Sequence, residues 1–286
     1  MHKDSNIING NMIAGDILQK LKASIAKMKT KPGLAVVQVG TDPASTLYVA
    51  KKREACANIG MKSFDYNLPE NVTEIELRTL IMDLNQNNDV TGIMVQFPLP
   101  KNLNSSRICS HIAPNKDVDG LSPLSLGNII TNDTSYMAPC TPEAIMIVLN
   151  RIGAELTGTN AVIVGASTIV GKPLAMLLSN HKATVTLCQK DTRDLAQHIK
   201  NADILISAIG KTKVIQSDWI KPGSIVIDIG INKVNNTITG DIDFNSAKNK
   251  AKWITPVPGG IGPITVAVLM LNTVIASERL LRSHAK

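Results

Sequence analysis

Hydrophobic residues along the chain follow two spacings, which predict helices that alternate with strands. Apolar side chains four residues apart mark an amphipathic helix over 11–28: they are Ile13, Ile17, Leu21 and Ile25. A short apolar run closed by glycine, GLAVVQVG at 33–40, is typical of a strand buried on both faces. Similar patterns predict helices at 43–60 and 72–86 and a strand at 90–97. Strands and helices in alternation imply a parallel sheet covered on both faces.

A second alternation occupies the other half of the chain. Helices are predicted at 139–153, from about 170, at 192–200 and at 262–281, and strands at 160–165, 183–188, 203–208 and 224–229. A chain of 286 residues favours two domains, because single cores rarely grow beyond about 250 residues. We therefore expect a first α/β domain, a linking helix, a dinucleotide-type α/β domain and a last helix that returns to the first domain.

Composition bears on where in the cell the protein acts and on whether it binds a membrane. Hydrophobic residues make up 44% of the chain and aromatic residues only 3%, which predicts an aliphatic core in a globular protein. No uninterrupted apolar run reaches the roughly 18 residues that cross a bilayer, and the start, MHKDSNIING, is too polar for a secretory signal. We expect a cytoplasmic protein with no membrane partner.

Cysteine, histidine and charge patterns exclude further classes. The four cysteines form no C-x-x-C pair and the five histidines show no ligand spacing, so we expect reduced thiols and no metal. A net charge of +7 is compatible with nucleic-acid binding, but the basic residues are dispersed and aromatics for base stacking are few. An anionic small ligand explains the charge better, and we expect no nucleic-acid partner.

A glycine turn follows the predicted strand at 160–165. In NAVIVGASTIVGKPLAMLL, Gly165 opens a turn between a strand and a helix, where bare backbone amides attract a pyrophosphate. The pattern departs from G-x-G-x-x-G, because Ser167 stands at the second glycine and Gly171 comes one residue late. Dinucleotide binding is the favoured interpretation, and a simple turn in a non-binding domain is the alternative.

The residues after the next strand bear on cofactor choice. An acidic side chain at this point usually holds the ribose hydroxyls of NAD, whereas a cation accommodates the 2′-phosphate of NADP. Lys190 lies closest to the strand end, followed by Asp191 and Arg193. The pattern favours NADP and leaves NAD open.

One lysine in the helix at 43–60 has two interpretations. Lys51, Lys52 and Arg53 look like a solvated cationic face, yet Tyr48 precedes Lys52 by one helical turn. Lys52 is thus either a surface cation or an amine held beside an aromatic ring for chemistry.

Six segments carry a family resemblance: DPASTLYVAKKREACANIGM, VQFPLP, PNKDVDG, PCTPEAIM, VGASTIVGKP and PVPGGIGPITVAVLMLNT. Together they resemble the bifunctional methylenetetrahydrofolate dehydrogenase/cyclohydrolase family of the bacterial FolD type. The resemblance implies oxidation of 5,10-methylenetetrahydrofolate with NADP, followed by hydrolysis of the 5,10-methenyl product to 10-formyltetrahydrofolate. It also implies a homodimer.

The resemblance implies an α/β fold with two domains joined by long helices. A folate-binding catalytic domain would comprise 1–140 plus 264–286, and a Rossmann-like NAD(P)-binding domain would comprise 141–263.

In the first domain the resemblance implies a catalytic set of four residues. Tyr48 matches the tyrosine that stacks beside the folate, and Lys52 matches the catalytic lysine. Gln96 matches the glutamine that hydrogen-bonds to that lysine, and Asp119 matches the carboxylate that pairs with the pterin ring. Further implied folate contacts are Val95, Phe97, Pro258, Gly259, Gly260, Ile261 and Gly262. Phe97 replaces a more usual Leu or Ile, from which we expect altered packing and retained activity.

In the second domain the resemblance implies cofactor contacts at Gly165, Ala166, Ser167 and Ile231. Many members have Arg at the position of Ala166, and CHSKT where this chain has CQKDT. Both differences affect the clamp on the 2′-phosphate. Lys190 would replace the missing cation if NADP is the cofactor.

Three rival functions remain at this point. A dehydrogenase without the hydrolytic step would not need the Y-x-x-x-K pattern together with Gln96. A non-catalytic dinucleotide-binding regulator would leave Lys52, Gln96 and Asp119 unexplained. A nucleic-acid-binding protein is the third.

Overall fold

The computed structural model describes residues 6–235 and 237–284, which divide into two compact units. Gly15–Cys140 and the segment from Val266 onward form one unit, called here the three-stranded unit after its sheet. The segment ending at Ala14 and Thr141–Thr265 form the other, called the five-stranded unit. The α/β class predicted from the sequence is confirmed.

The three-stranded unit is built on a parallel sheet of order β2-β1-β3. Its elements are α1 (Gly10–Lys27), β1 (Gly33–Val39), α2 (Pro43–Ile59), β2 (Lys62–Leu68), α3 (Glu74–Gln86), β3 (Gly92–Val95), α4 (Ser105–Ser110) and α5 (Pro123–Ile130). Every residue of β1 and β3 is buried, as expected for strands covered on both faces. The core is aliphatic, with Val37, Ile81 and Ile93 fully enclosed.

Local sequence signals fix where the helices of this unit begin and end. The Asp42 carboxylate accepts from Ser45 N at 2.8 Å, Pro43 occupies the first turn of α2, and Gly60 ends the helix with φ 79°. Thr73 and Glu76 form a reciprocal capping box at the start of α3. These caps set the bounds of α2, the helix that carries Lys52.

The five-stranded unit carries a parallel sheet of order β10-β7-β6-β4-β5. Its elements are α6 (Cys140–Arg151), β4 (Asn160–Val164), α7 (Gly171–Asn180), β5 (Thr184–Cys188), α8 (Leu195–Lys200), β6 (Ile204–Ser207), a 3-10 turn (Ser217–Trp219), β7 (Ile225–Asp228), β8 (Asn232–Val234), β9 (Thr237–Thr239), α9 (Phe244–Ala247) and β10 (Trp253–Ile254). The last helix, α10 (Ile261–His284), starts here and continues into the three-stranded unit. Because β5 and β6 flank β4 on opposite sides, the strand order reverses beside β4.

The beginning of the chain belongs to a different unit from the one assigned by sequence. The sequence predicts residues 1–140 as part of the folate-binding domain, whereas the described residues 6–14 lie with the five-stranded unit. Ile8 N donates to Ile254 O at 2.8 Å, and Gly10 N donates to Gly259 O at 2.8 Å. Main-chain hydrogen bonds to β10 and to the turn before α10 therefore place this segment in the five-stranded unit. The spacing of its apolar side chains does not predict that placement.

Helix α10 is apolar enough to span a bilayer over Ile261–Arg282, judged by length and composition alone. Its apolar residues form no uninterrupted run of this length, because Asn272 and Thr273 lie among them. Of the apolar 18-residue stretch within this helix, 56% is buried inside the protein. Asn272 Nδ2 donates to Val118 O at 2.9 Å, and the Met270 sulfur lies 3.5 Å from the Cys56 sulfur. These contacts are those of a core helix.

Candidate active site

Lys52 lies on the buried face of α2. Val49, Cys56 and Ile59 share that face, whereas Lys51 and Arg53 are exposed on either side. Only 9% of the Lys52 surface remains accessible. A position three residues after Val49 and four before Cys56 falls on the same side of a helix, which turns this lysine inward. Of the two interpretations left open by the sequence, the structure supports the enclosed amine.

The buried amine has one short hydrogen bond within its unit. Lys52 Nζ donates to Gln96 Oε1 at 2.7 Å, at the carboxyl end of β3. Gln96 Nε2 donates to Phe97 O at 2.7 Å, and Gln96 N donates to Val37 O at 2.8 Å. These bonds fix the orientation of the amide, because the reverse orientation would place its NH₂ group against the ammonium. Gln96 therefore holds the amine at a defined point.

Asp119 and Cys140 complete the surroundings of Lys52. Burial lowers the pKa of Lys52, and the nearby Asp119 carboxylate and Cys140 sulfur oppose that effect. Burial raises the pKa of Asp119, whereas Lys52 lowers it and Asp117 raises it. Burial also raises the pKa of the Cys140 thiol, so this cysteine is a poor nucleophile. The amine and the carboxyl thus have pKa values closer together than in water, which eases proton movement between them.

Asp117 supports the loop that carries Asp119. Its carboxylate accepts from Gly120 N at 3.1 Å, Leu121 N at 3.4 Å, Ser122 N at 3.0 Å and Ser125 Oγ at 2.7 Å. This set of donors occupies both oxygens of Asp117. Asp117 therefore holds the loop, while Asp119 lies close enough to Lys52 to raise the pKa of its amine.

Tyr48 and the residues after β3 frame the amine. The Tyr48 ring is half-buried, and burial raises the pKa of its hydroxyl. The cation over its face is Lys51, whose Nζ lies 5.9 Å from the ring centroid, and not Lys52. Val95 is buried and Phe97 is half-buried. The three-stranded unit thus brings six predicted site residues into neighbouring elements: Tyr48, Lys52, Val95, Gln96, Phe97 and Asp119.

The predicted folate-contacting turn, Pro258–Gly262, lies in the five-stranded unit at the start of α10. Gly259 has φ 94°, and a β-carbon on Gly260 would lie 2.4 Å from Pro256 O. Ile261 is buried, and Pro258 and Gly262 are exposed. The backbone geometry therefore requires the two glycines, and the folate contact stays a prediction.

The glycine turn after β4 forms a cradle of backbone amides. Gly165 has φ 122°, and a β-carbon there would lie 2.3 Å from Ala208 O. A β-carbon on Gly171 would lie 1.8 Å from Gly165 O, so both positions require glycine. Ser167 Oγ accepts from Val170 N at 3.2 Å, a bond within the turn that leads into α7.

Four amides of this turn remain available to a ligand. The N–H groups of 166–169 donate to no acceptor within residues 6–235 and 237–284. They lie just before the N-terminus of α7, where the positive end of the helix dipole favours a phosphate. The turn therefore fits the pyrophosphate of a dinucleotide.

The other predicted cofactor residues lie past neighbouring strands of the same sheet. Gln189 N donates to Thr192 Oγ1 at 2.8 Å, closing a turn after β5 that leaves Lys190 exposed. Ile231, after β7, has 47% of its surface exposed. A cation past β5 and an exposed apolar residue past β7 fit the two ends of NADP.

Sequence reasoning missed two features of the site. The sequence predicts only reduced thiols and assigns Cys140 no role, yet its sulfur lies close enough to Lys52 and Asp119 to affect both pKa values. The sequence reasoning above also assigns no role to Asp228 and Asp241, both of which are buried in the five-stranded unit. Each stands within two residues of a glycine, in VIDIG and TGDID, and that pattern was the available signal.

Known protein families match both the part of the chain that carries Lys52 and the part that carries the glycine turn. A profile described as "Tetrahydrofolate dehydrogenase/cyclohydrolase, catalytic domain" matches residues 8–119, and its "NAD(P)-binding domain" counterpart matches residues 139–281. A "Bifunctional protein FolD" from Ruthia magnifica is 46% identical over 274 residues, covering 96% of this chain and 99% of the relative.

Solved structures show the same likeness. The bifunctional FolD structure from Campylobacter jejuni is 41% identical with a TM-score of 0.93, covering 96% of this chain and 98% of that one. A FolD structure from Trypanosoma brucei, complexed with NADP cofactor and inhibitor, is 36% identical with a TM-score of 0.93, with the same coverages.

Proposed function

This chain belongs to the tetrahydrofolate dehydrogenase/cyclohydrolase family, and on that basis we propose that it catalyses both of the family's reactions. It oxidises 5,10-methylenetetrahydrofolate with NADP, and it hydrolyses the resulting 5,10-methenyl compound to 10-formyltetrahydrofolate. The observation that carries the proposal is the buried Lys52–Gln96 hydrogen bond beside Asp119, together with a family match over nearly the whole chain.

The oxidation needs binding and orientation more than acid–base help. A carbon between two nitrogens releases hydride readily, because the resulting amidinium cation is delocalised. NADP, when bound, accepts that hydride. The amides of 166–169 would hold its pyrophosphate, Lys190 its 2′-phosphate, and Ile231 would contact the nicotinamide half. The chain's role in this step is to hold the reactants in register and to exclude water.

The hydrolysis needs a base and a proton donor. Water adds to the amidinium carbon and loses a proton, and the bond to one ring nitrogen then breaks as that nitrogen takes a proton. A lysine with an ordinary pKa is almost fully charged at neutral pH. Burial lowers the pKa of Lys52, so its neutral amine becomes accessible, and a cationic substrate would lower the pKa further. Lys52 would accept the water proton and return it to the nitrogen.

The surrounding residues have distinct roles in this proposal. Gln96 fixes the position of the amine, and Tyr48 presents an apolar face to the folate. Asp119 pairs with the pterin ring. Val95, Phe97 and Pro258–Gly262 complete the folate contacts.

The proposal extends to organisation and location. Residues 1–140 with 264–286 would serve the folate and 141–263 the dinucleotide, apart from the segment before Gly15, which lies with the latter unit. The enzyme would act as a homodimer in the cytoplasm, without nucleic-acid or membrane partners.

Two absorbance assays test the proposal. The purified protein should reduce NADP when 5,10-methylenetetrahydrofolate is added, and without cofactor it should accelerate the loss of the methenyl chromophore. NADP reduction alone would identify a dehydrogenase without the hydrolytic step. Failure of both reactions, with dinucleotide binding retained, would identify a non-catalytic binding protein.

A further inference from the structure

Two buried aspartates lie at the carboxyl edge of the five-stranded sheet. Asp228 ends β7 and Asp241 follows β9, and their exposed fractions are 4% and 0%. We call them the aspartate pair. A buried carboxylate is costly unless donors surround it, so the identity of those donors shows what each aspartate holds.

Asp241 joins the loop after β6 to the start of β8. Its Oδ2 accepts from Ser207 Oγ at 2.9 Å, Ile209 N at 2.8 Å and Gly210 N at 3.2 Å. Its Oδ1 accepts from Lys211 N at 3.0 Å and from Asn232 Nδ2 at 3.0 Å. One carboxylate therefore orients three consecutive amides and the residue next to Ile231.

Asp228 holds the backbone on which Asp241 stands. Its Oδ1 accepts from Gly230 N at 2.9 Å and Asp241 N at 3.1 Å, and its Oδ2 accepts from Ile242 N at 2.8 Å. A β-carbon on Gly230 would lie 2.0 Å from Asp241 Oδ1. The carboxylate thus reaches the loop only because Gly230 has no side chain.

The strand order determines which half of a dinucleotide these loops face. The phosphate cradle follows β4, and the Lys190 turn follows β5 on one side of it. Dinucleotides bind across the carboxyl ends of the strands where the order reverses. If the phosphorylated ribose lies past β5, the nicotinamide half must extend over β6 and β7, where Asp241 organises both loops.

We propose that Asp241, supported by Asp228, is a positioning residue for the oxidation: it fixes the Ile209–Lys211 backbone and Ile231 around the nicotinamide half of NADP. This inference rests on the proposed function. It implies that loss of the Asp241 carboxylate harms the nicotinamide half of the site and leaves the phosphate half and the hydrolytic residues intact.

The test compares Asp241→Asn with the wild type and with Asp243→Asn. An amide at 241 would direct its NH₂ group at two or more donors, so the loops must shift. Asp243 lies two residues away, and within the described chain its carboxylate accepts no hydrogen bond, which makes it a matched control. Three quantities are measured: the oxidation rate, cofactor-free hydrolysis, and the binding of NADP and of 2′-phospho-ADP-ribose, which lacks nicotinamide.

We expect Asp241→Asn to lower the kcat of oxidation by about 100-fold, as for a displacement of about 1 Å at a reacting centre. Hydrolysis and the Kd of 2′-phospho-ADP-ribose should stay within about twofold of the wild type, since neither depends on the nicotinamide position. Wild type should bind NADP more tightly than 2′-phospho-ADP-ribose, and Asp241→Asn should bind the two ligands with similar Kd values. Asp243→Asn should match the wild type in all three.

Three results would overturn the inference: unchanged oxidation, equal losses in oxidation and hydrolysis, or equal losses for both ligands. If Asp241→Asn does not fold, Asn232→Ala decides by the same measurements, because it removes only the bond beside Ile231. A wild type that reduces no NADP would refute the proposed function. The affinities of wild type and Asp241→Asn for NADP and 2′-phospho-ADP-ribose would still test whether Asp241 positions the nicotinamide half.

Discussion

Lys52 Nζ lies 2.7 Å from Gln96 Oε1, so the buried face of α2 and the carboxyl end of β3 jointly hold one amine. Neighbouring Lys51 and Arg53 are exposed, and their charges are solvated. Burial, and not position in the KKR run, therefore distinguishes Lys52 from the cations on either side of it.

Replacing Lys52 with Met should abolish the hydrolytic step. General acid–base groups typically contribute about 10²–10⁴-fold, and Met fills a similar volume without a titratable nitrogen. Hydrolysis of methenyltetrahydrofolate should therefore fall by at least about 100-fold. Lys20→Met removes an exposed cation on α1 and should change the rate by less than about twofold. Equal rates for wild type and Lys52→Met would remove this residue from the mechanism.

Changing Gln96 should move the pH profile of hydrolysis in two directions. A carboxylate in Gln96→Glu favours the ammonium of Lys52 and raises its pKa, so the ascending limb of kcat/KM moves to higher pH. Gln96→Leu removes the acceptor and lowers that pKa, so the limb moves to lower pH. The profiles are measured without cofactor. Shifts in the same direction for both variants would contradict Lys52 as the titrating group.

Asp228 should make the free energy of unfolding fall between pH 4 and pH 6. Burial raises the pKa of its carboxyl from 3.8 to about 6, against the lowering effect of backbone donors. The folded state then binds this proton more tightly than the unfolded state, so the stability contributed at low pH is lost as the pH rises through 6. The loss is about 3 kcal/mol at 1.36 kcal/mol per pKa unit.

Urea unfolding of the wild type and Asp228→Asn across this pH range checks the expectation. Asparagine has the shape of the protonated carboxyl and does not ionise, so the variant should lack this part of the decline. The exposed Asp218→Asn should retain it. Parallel curves for wild type and Asp228→Asn would show that Asp228 does not titrate in this range.

Lys190→Ala should weaken NADP binding by about tenfold and leave NAD binding unchanged. Its ammonium is exposed past β5, and a charge-assisted hydrogen bond to phosphate contributes about 1.5 kcal/mol or more. Michaelis constants for both cofactors give the ratio, and Lys200→Ala on α8 supplies an exposed lysine away from the strand end. An unaltered ratio would mean that another group selects the cofactor.

Three strands that the sequence patterns do not predict, β2, β8 and β9, show the limits of local periodicity. The segment KSFDYNL, which forms β2, alternates polar residues with Phe64, Tyr66 and Leu68, and these three pack on the core of their unit. The alternation was a readable strand signal, weakened by the polar residues of an edge strand. The hairpin β8–β9 has only three residues in each strand, too few for either period to register.

The sequence by itself determined the alternation of helices and strands, the glycine turn and the family motifs. Those features depend on neighbours within a few residues: helical spacing, caps, and φ angles or close approaches that only glycine permits. It also contained the inward phase of Lys52, since Val49 and Cys56 share its face of α2.

Tertiary structure alone decided what surrounds that amine and which loops the buried aspartates hold. Asp119 lies 67 positions beyond Lys52, and Asp241 binds amides about 30 positions earlier. Such pairs form only after the strands are ordered side by side. Burial shifts the pKa values of Lys52, Asp119 and Asp228. It depends on the tertiary structure, because a group loses its water only when residues from several elements pack around it.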